Sequence, residues 1–120
     1  MSLVLTGVSK VMNGQTHIHK TDLELKSGTM NVLLGPTSSG KTSLMRLMAG
    51  LDVPNSGKVI WDGKDVTGMR VQDRGVAMVY QQFINYPSMS VYENIASPMR
   101  LLRQSADQID AAVRKAADLM

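Results

Sequence analysis

The chain has 120 residues, of which 43% are hydrophobic, and it carries a formal charge of +3. This size and composition suit one small globular domain and argue against intrinsic disorder. No apolar run reaches the roughly 18 residues needed to cross a bilayer, and the N-terminus lacks the basic and apolar regions of a secretory signal. Cysteine is absent, which excludes disulfides and thiolate metal sites. Basic residues alternate with acidic ones, so we expect no nucleic-acid partner.

The first predicted elements are two strands joined by a tight turn. Leu3–Val8 and His17–Leu25 have strand character, and Asn13-Gly14 between them is typical of a hairpin. Two histidines, His17 and His19, are too few to suggest a zinc site and fit one face of an exposed or edge strand.

A glycine-rich loop lies between a predicted buried strand and a predicted helix. The apolar run Met30-Asn31-Val32-Leu33-Leu34 predicts the strand, and Lys41 to Ala49, closed by Gly50, predicts the helix. Between them, Gly35-Pro36-Thr37-Ser38-Ser39-Gly40-Lys41-Thr42 matches the phosphate-binding pattern G-x-x-x-x-G-K-[ST]. The alternative is a turn rich in glycine and serine ahead of a helix.

The chemistry of this loop suits a nucleoside triphosphate and Mg²⁺. Backbone N–H groups of such a loop curl around an anion at a helix N-terminus, and Gly35 and Gly40 allow its close approach. Lys41 is a flexible cation that can reach the β and γ oxygens, while the hydroxyl of Thr42 can contact Mg²⁺.

The remaining chain predicts further strands and two helices. Lys58–Trp61 and the apolar run Gly75–Tyr80 have strand character, and the second run ends at Gln81. Capping-box patterns begin helices at Ser90 and Ser105. The last helix places Ile109, Val113, Ala116 and Met120 on one face. For the basic side chains near the C-terminus we favour a solvated face over a phosphate-binding stripe: Arg100, Arg103, Arg114 and Lys115.

Several motifs in a fixed order resemble the N-terminal part of an ATP-binding cassette (ABC) transporter ATPase over essentially the whole chain. The similarity is greatest to ATPases of carbohydrate and polyol importers of the maltose or glycerol type. Beyond the glycine-rich loop, it is carried by Val8-Ser9-Lys10, by Ser43 to Leu51, by Asn55-Ser56-Gly57-Lys58-Val59, by Arg74 to Gln81, by Tyr86-Pro87 and by Val91-Tyr92-Glu93-Asn94-Ile95.

The resemblance implies a fold and a division of the chain. The expected fold is α/β, an incomplete P-loop NTPase (RecA-like) core with N-terminal antiparallel β elements and the start of a helical subdomain. Residues 1–81 would form the N-terminal part of the nucleotide-binding domain. Residues 82–120 would contain the Q-loop region and the start of the helical subdomain.

The resemblance also implies the site residues, with ATP and Mg²⁺ as cofactors. Lys41 and Gln81 would be catalytic, and Thr42 and Gln81 would contact the metal. Gln81 corresponds to the Q-loop glutamine, which contacts Mg²⁺ or the attacking water; an exposed strand-end residue is the alternative. The nucleotide would be held by Gly35, Pro36, Thr37, Ser38, Ser39, Gly40, Lys41, Thr42, Ser43 and Met12.

Met12 departs from the family pattern. The family usually places an aromatic residue at this position, where it stacks on adenine. Here the base would meet the thioether of Met12 or be stacked by a neighbour such as His17.

The resemblance implies two protein partners. The segment containing Phe83, Tyr86, Pro87 and Met89 would dock on a membrane-spanning permease subunit, with buried packing as the alternative for Tyr86. A second nucleotide-binding subunit, identical or not, would complete a dimer. The expected location is the cytoplasmic face of the inner membrane, as a peripheral protein, and the expected task is to power uptake of a carbohydrate or polyol.

The sequence ends at Met120, before the family's signature motif, catalytic glutamate and switch histidine. We therefore expect the 120 residues to bind Mg·ATP at most, without hydrolysis. We further expect a truncated piece that self-associates or is only partly ordered, because strand edges would be exposed. Two alternatives stay open: a soluble cassette ATPase without a membrane partner, and a non-catalytic nucleotide-binding module.

Overall fold

The computed structural model describes residues 2–120, which group into two compact units, 2–78 and Val79–Met120. The first unit holds a four-stranded sheet and one helix, and the second holds two helices. The elements are β1 (Ser2–Met12), β2 (Gln15–Lys26), α1 (Lys41–Ala49), β3 (Ser56–Trp61), β4 (Lys64–Asp65), a 3₁₀ turn (Val71–Asp73), α2 (Val91–Leu101) and α3 (Ala106–Leu119).

The sheet is antiparallel, with strand order β2-β1-β3-β4. The predicted hairpin between β1 and β2 is confirmed: Asn13 and Gly14 have φ of 50° and 75°, as a tight turn between twisted strands requires. β2 lies at the edge of the sheet, and both His17 and His19 on it are exposed, as predicted.

The core of the first unit forms where α1 packs on the sheet. Leu5, Val8 and Val59 of the sheet and Leu47 of α1 are 1% exposed or less. Each such aliphatic side chain contributes about 1.5–3 kcal/mol on burial. Leu44 joins this core one helical turn before Leu47, whereas Met45, 43% exposed, points away from it.

The two predicted buried strands, 30–34 and 75–80, are not strands in the structure. Met30, Leu34 and Val79 are 92%, 84% and 93% exposed. Within residues 2–120 the sheet contains only β1 to β4, and neither run pairs with it. An apolar run indicates a tendency to be buried, but a buried strand also requires neighbouring strands to satisfy its backbone N–H and C=O groups.

Charged side chains stabilise the C-terminal end of α1 through hydrogen bonds and an ion pair. As predicted, the helix ends at Gly50, with φ of 86°. The guanidinium of Arg74 donates to the carbonyls of Met48 at 2.8 Å and Val66 at 2.6 Å, and burial lowers the pKa of Arg74. Arg46 pairs with Asp52 at 2.8 Å, and this hydrogen bond lowers the pKa of Asp52. These contacts hold the helix that follows the glycine-rich loop.

The second unit forms where the apolar faces of its two helices pack together. The core residues are Ala96 of α2 and Ile109 and Val113 of α3, all at most 3% exposed. The hydroxyl of Tyr92 also donates to Asp110 at 3.1 Å and links the two helices. Met120 was predicted on the same face but is 90% exposed, because α3 ends at Leu119.

Both helices of this unit are capped as their sequences predict, with one difference. Ser105 and Gln108 form the complete capping box. Ser90 caps α2 by accepting from the N–H of Glu93 at 3.1 Å, but the Glu93 carboxylate pairs with Arg100 at 2.6 Å instead of turning back to Ser90. The ion pair of a guanidinium with a carboxylate is the stronger interaction, so the second half of this box is lost.

The basic side chains near the C-terminus include two that pair with acids on the helix surface. Arg100 pairs with Glu93, and Arg114 pairs with Asp110 at 2.9 Å, with Arg114 75% exposed at its side chain. This arrangement agrees with the predicted solvated face.

Candidate functional site

The glycine-rich loop encloses the amine of Lys41. Its Nζ donates to the carbonyl oxygens of Gly35 at 2.6 Å and Pro36 at 2.5 Å, and lies 3.2 Å from Oγ of Ser39. The side chain that begins α1 therefore folds back over the loop. These three partners of Nζ are all neutral, and among residues 2–120 Lys41 forms no ion pair. Its N–H groups could therefore donate to an anion in place of these partners.

The N-terminus of α1 is open, unlike those of α2 and α3. Its cap residue is Gly40, which supplies no side chain, and the first turn contains no acidic residue. α2 and α3 are instead capped by the hydroxyls of Ser90 and Ser105. Because the first N–H groups of a helix have no partner within it, an uncapped N-terminus combined with a lysine amine favours an anionic ligand.

The two motif glycines are required by close contacts. A Cβ at Gly35 would lie 2.8 Å from Oγ of Ser39. At Gly40, where φ is 94°, a Cβ would lie 2.7 Å from the carbonyl oxygen of His17. The loop therefore packs directly against the backbone of β2, which a larger residue would prevent.

A cavity of about 390 Å³ lies between β2 and the loop. Its volume falls within the range of roughly 300–1,000 Å³ common for small-molecule sites. The residues that line it come from β2, from the extended segment before the loop, from the loop itself and from α1: His17, Ile18, His19, Thr21, Leu33, Leu34, Gly35, Pro36, Ser39, Gly40, Lys41 and Leu44.

The predicted nucleotide-contacting residues are distributed unevenly around this cavity. Five of them line it: Gly35, Pro36, Ser39, Gly40 and Lys41. Four others belong to the same loop or to the first turn of α1 but do not line it: Thr37, Ser38, Thr42 and Ser43. Their contact with a nucleotide stays a prediction.

Met12 is not part of the cavity wall. It ends β1, pairs with Gln15 across the hairpin and is 44% exposed. His17, the neighbour that the sequence offered in its place, does line the cavity, together with three residues of β2 to which the sequence assigned no role: Ile18, His19 and Thr21. The sequence carries no signal for them, because they reach the cavity through the packing of the loop on β2, whose pairing with β1 is irregular at these positions.

Gln81 lies in the second unit, in an exposed bend. Its predicted contact with Mg²⁺ or water, shared with Thr42, therefore stays a prediction. Residues 2–120 contain no group of three or more His, Asp or Glu side chains placed to hold a metal ion. A Mg²⁺ ion at the loop would take its oxygen ligands chiefly from phosphate and water, as Mg²⁺ commonly does.

The segment after Gln81 exposes a run of large apolar side chains. Phe83 is fully exposed at 106%, and Tyr86 and Met89 are 56% and 46% exposed. Burial of Tyr86, the alternative considered from the sequence, does not occur within the described residues. Pro87 is exposed as well. We call Phe83, Tyr86, Pro87 and Met89 the apolar segment.

Asn94 holds part of the apolar segment against the first turn of α2. Its Oδ1 accepts from the N–H of Tyr86 at 2.7 Å, while Nδ2 lies within donating distance of the carbonyls of Tyr86 at 3.1 Å, Met89 at 3.2 Å and Ser90 at 2.9 Å. An amide is the side chain that can both accept and donate in this way. Sequence reasoning assigned Asn94 no role, because these contacts depend on how the loop folds back.

Replacing Asn94 with alanine should release this loop. We expect about fivefold lower protection of the Tyr86 amide in hydrogen exchange, since one hydrogen bond contributes about 1 kcal/mol. Asn94→Asp should preserve more protection at Tyr86 than Asn94→Ala, because the carboxylate still accepts from that N–H. Asn85→Ala, at an exposed neighbouring position, is the matched control. Equal protection in Asn94→Ala and in the control would contradict the assignment.

None of the helices in the described part of the chain, 2–120, has the length and hydrophobicity to cross a membrane.

Comparison with known proteins identifies relatives across nearly the whole chain. Residues 18–119 match the family model described as ABC transporter. The chain is 38% identical to the Fe(3+) ions import ATP-binding protein FbpC of Vibrio cholerae, covering 98% of this chain and 34% of that protein. It is 40% identical to the alpha-glucoside transport ATP-binding protein AglK of Rhizobium meliloti, covering 98% and 33%. It is 37% identical to the sulfate/thiosulfate import ATP-binding protein CysA of Mesostigma viride, covering 100% and 34%. The chain thus spans about a third of the length of these curated relatives.

Two solved structures share the fold. One is a dimeric ATP-binding cassette in a post-hydrolysis state bound to ADP and Pi, with a TM-score of 0.80 at 23% identity, covering 94% of this chain and 54% of that one. The other is a dimeric bacterial ABC transporter cassette with the same TM-score and identity, covering 97% and 54%. The predicted fold class, a partial P-loop α/β domain with N-terminal antiparallel strands, is confirmed.

Proposed function

This chain belongs to the ABC transporter ATPase family, and on that premise we propose that it forms the ATP-binding segment of an importer ATPase. The observation that carries the proposal is the position of Lys41, whose amine lies over the glycine-rich loop at the uncapped N-terminus of α1, beside a cavity of about 390 Å³. A cation, open backbone N–H groups and a cavity together suit a triphosphate. We propose residues 1–81 as the nucleotide-binding part and residues 82–120 as the Q-loop and partner-binding part.

The residues of the loop would hold the phosphates in three ways. Lys41 would exchange its bonds to the carbonyls of Gly35 and Pro36 for bonds to phosphate oxygens, which carry more negative charge. The backbone N–H groups at the start of α1 would donate to the same anion. Thr42 would offer its hydroxyl to Mg²⁺, and the metal would neutralise part of the charge of the phosphates.

Binding of Mg·ATP to the 120-residue chain tests the proposal. Isothermal titration should show ATP binding more tightly than AMP, because the loop contacts lie at its phosphate-rich end. ADP should fall between them. AMP binding as tightly as ATP would contradict a phosphate-binding role for the loop.

We propose that Gln81 acts in turnover and not in nucleotide affinity. In the importer ATPase that contains this segment, Gln81→Ala should reduce ATP hydrolysis at saturating nucleotide while changing the Kd for Mg·ATP by less than about threefold. The physical reason is that a neutral amide positions water or metal but adds little charge attraction to the ground state. The measurement is steady-state hydrolysis beside equilibrium nucleotide binding. Weaker binding with unchanged turnover per bound nucleotide would reverse the assignment.

We propose that the apolar segment contacts a cytoplasmic helix of a membrane-spanning permease subunit. Exposed aromatic and apolar side chains in one loop suit a protein contact. Tyr86→Asp should abolish co-purification of the ATPase with its permease, because a charge would be desolvated in an apolar contact. Leu102→Asp, which changes a residue 73% exposed at the end of α2, is the matched control and should co-purify normally. Equal recovery of both variants would favour the soluble cassette ATPase.

For the imported solute we propose a carbohydrate or polyol. This proposal rests on the sequence resemblance and is supported by the similarity to an alpha-glucoside transport protein. Relatives named for Fe(3+) ions and for sulfate/thiosulfate define the competing solutes. Uptake of labelled solutes by cells with and without the gene separates these three classes.

A role in transport also implies a second subunit and a location at the membrane. The ATPase would pair with a second nucleotide-binding subunit and lie at the cytoplasmic face of the inner membrane as a peripheral protein. Comparing ATP turnover with ATP binding separates this proposal from a non-catalytic nucleotide-binding module, in which binding persists without turnover in the whole protein.

A further inference from the structure

A tight turn lies inside the glycine-rich loop, between Pro36 and Ser39. The N–H of Ser39 donates to the carbonyl of Pro36 at 3.3 Å, which joins the first and fourth residues of a β-turn. Ser38, the third residue, has a φ of 65°, whereas Thr37, the second, does not have a positive φ. This combination is that of a type II turn, whose third position favours glycine because other residues rarely adopt a positive φ.

Serine at this position has a conformational cost that its side chain does not offset. In the described chain, 2–120, the other residues besides glycine with a positive φ are Asn13, Asp62 and Arg103. The short polar side chains of asparagine and aspartate suit this conformation, and the carboxylate of Asp62 also accepts from the N–H of Ser2 at 3.0 Å. Ser38 is exposed, and its hydroxyl forms no hydrogen bond to any residue from 2 to 120. The backbone of Ser38 is therefore strained.

Few contacts hold this turn in place. Residues 35–39 are all exposed, so no packing in the core fixes their conformation. The bond between Ser39 and Pro36 is longer than the usual 2.7–3.2 Å of an N–H···O bond. Lys41 also bonds to the carbonyls of Gly35 and Pro36, but these are the bonds that phosphate oxygens would replace. The strain at Ser38 thus acts against a conformation that is weakly held.

The turn controls the position of residues that line the cavity. Ser39 and Gly40 follow Ser38 directly and line the cavity beside the loop, and Lys41 begins α1 after them. A change of φ at Ser38 would move these residues relative to Gly35 and Pro36 on the other side of the turn. Ser38 itself does not line the cavity. It can therefore act on a ligand through the placement of its neighbours, as a positioning residue.

Given the proposed binding of phosphates by the loop, we infer that Ser38 lowers the affinity of the loop for them through its strained backbone. Without a ligand, the strain shifts the loop away from the turn, and only a fraction of the chains is ready to bind. The apparent Kd is then the intrinsic Kd divided by that fraction. A residue that adopts a positive φ freely would raise the fraction and tighten binding.

Substitutions at Ser38 test the inference by separating the backbone from the hydroxyl. Ser38→Gly should bind Mg·ATP about fivefold more tightly than the unchanged chain, which corresponds to about 1 kcal/mol. Inorganic tripolyphosphate with Mg²⁺ should gain by the same factor, because it carries the phosphates alone. Ser38→Ala should bind both ligands within about twofold of the unchanged chain, since its Cβ keeps the strain and only the hydroxyl is lost. Isothermal titration measures each Kd, and circular dichroism during heating gives the Tm of each variant.

Two further glycine substitutions serve as controls. Thr37→Gly adds flexibility to the same turn at a position without a positive φ, so it should not tighten binding. Arg103→Gly relieves a φ of 55° in the turn after α2 and should leave both Kd values within about twofold. A gain in either control equal to that of Ser38→Gly would overturn the inference.

The outcomes distinguish the inference from the proposed function. If Ser38→Gly raises Tm but leaves both Kd values unchanged, the strain is the same with and without ligand; the inference is overturned and the proposed function stands. Weaker binding by both Ser38→Gly and Ser38→Ala would show that the hydroxyl contacts phosphate, and would also overturn it. If the unchanged chain binds neither Mg·ATP nor tripolyphosphate, the inference and the proposed function both fail.

Discussion

Replacing Lys41 with alanine should weaken Mg·ATP binding to this chain about 10- to 150-fold. The estimate follows from losing a hydrogen bond to a charged partner, worth about 1.5–3 kcal/mol. Lys41 bonds to Gly35 at 2.6 Å and Pro36 at 2.5 Å, so its removal also frees the loop that carries the other phosphate contacts. Isothermal titration with Mg·ATP measures the effect.

Lys64→Ala is the matched control for Lys41→Ala. Lys64 lies on the exposed strand β4, so this variant has the same net charge as Lys41→Ala but an intact loop. It should bind Mg·ATP within about twofold of the unchanged chain. Similar losses in the two variants would show that general charge attraction, not the loop, governs nucleotide binding.

Replacing Gly57 with alanine should destabilise the first unit by roughly 2–4 kcal/mol. Gly57 has φ of 84°, and a Cβ there would lie 2.4 Å from backbone atoms of Thr6 and Gly7. Because those atoms belong to β1, which pairs with both β2 and β3, they cannot move without disturbing the sheet. For a domain of this size we expect Tm to fall by more than about 10 °C. Circular dichroism recorded during heating measures this change.

Gly63→Ala separates the two causes of this destabilisation, which are the positive φ and the clash of the added Cβ with β1. Gly63 also has positive φ, 76°, but a Cβ there would meet nothing within 4 Å. Gly63→Ala should therefore lower the free energy of unfolding only by the cost of a positive φ in alanine, about 1–2 kcal/mol. The difference between the two variants then measures the contact of β3 with β1, and equal losses would exclude that contact as a cause.

Local features of this protein could be predicted from its sequence because short-range interactions decide them. The turn at Asn13 and Gly14, the start of α1 at Lys41 and its end at Gly50 all depend on residues within a few positions of each other. The same holds for the Ser105 cap. Contacts within one turn form in almost any tertiary setting that keeps the helix.

Features that depend on partners distant in sequence were not predictable in this way. The runs 30–34 and 75–80 have the composition of buried strands but lack a strand to pair with among residues 2–120. Glu93 was expected to complete a capping box, yet Arg100, seven residues later, takes its carboxylate. In both cases the local sequence favours one structure, but the result depends on a residue or strand elsewhere in the chain. The apolar runs have no paired strand, and the carboxylate of Glu93 has a competing partner.

The sequence by itself determined that the loop from Gly35 to Thr42 begins a helix and carries a lysine suited to phosphate, because the motif specifies its own backbone and charge. The tertiary structure decided what faces that loop. The backbone at His17 lies against Gly40, and Met12, at the end of β1, lies outside the cavity wall. The register of β1 with β2 is irregular here, pairing Lys10 with Ile18 but Val11 with Thr16, so the spacing of residues along β2 does not by itself set which of them reach the cavity.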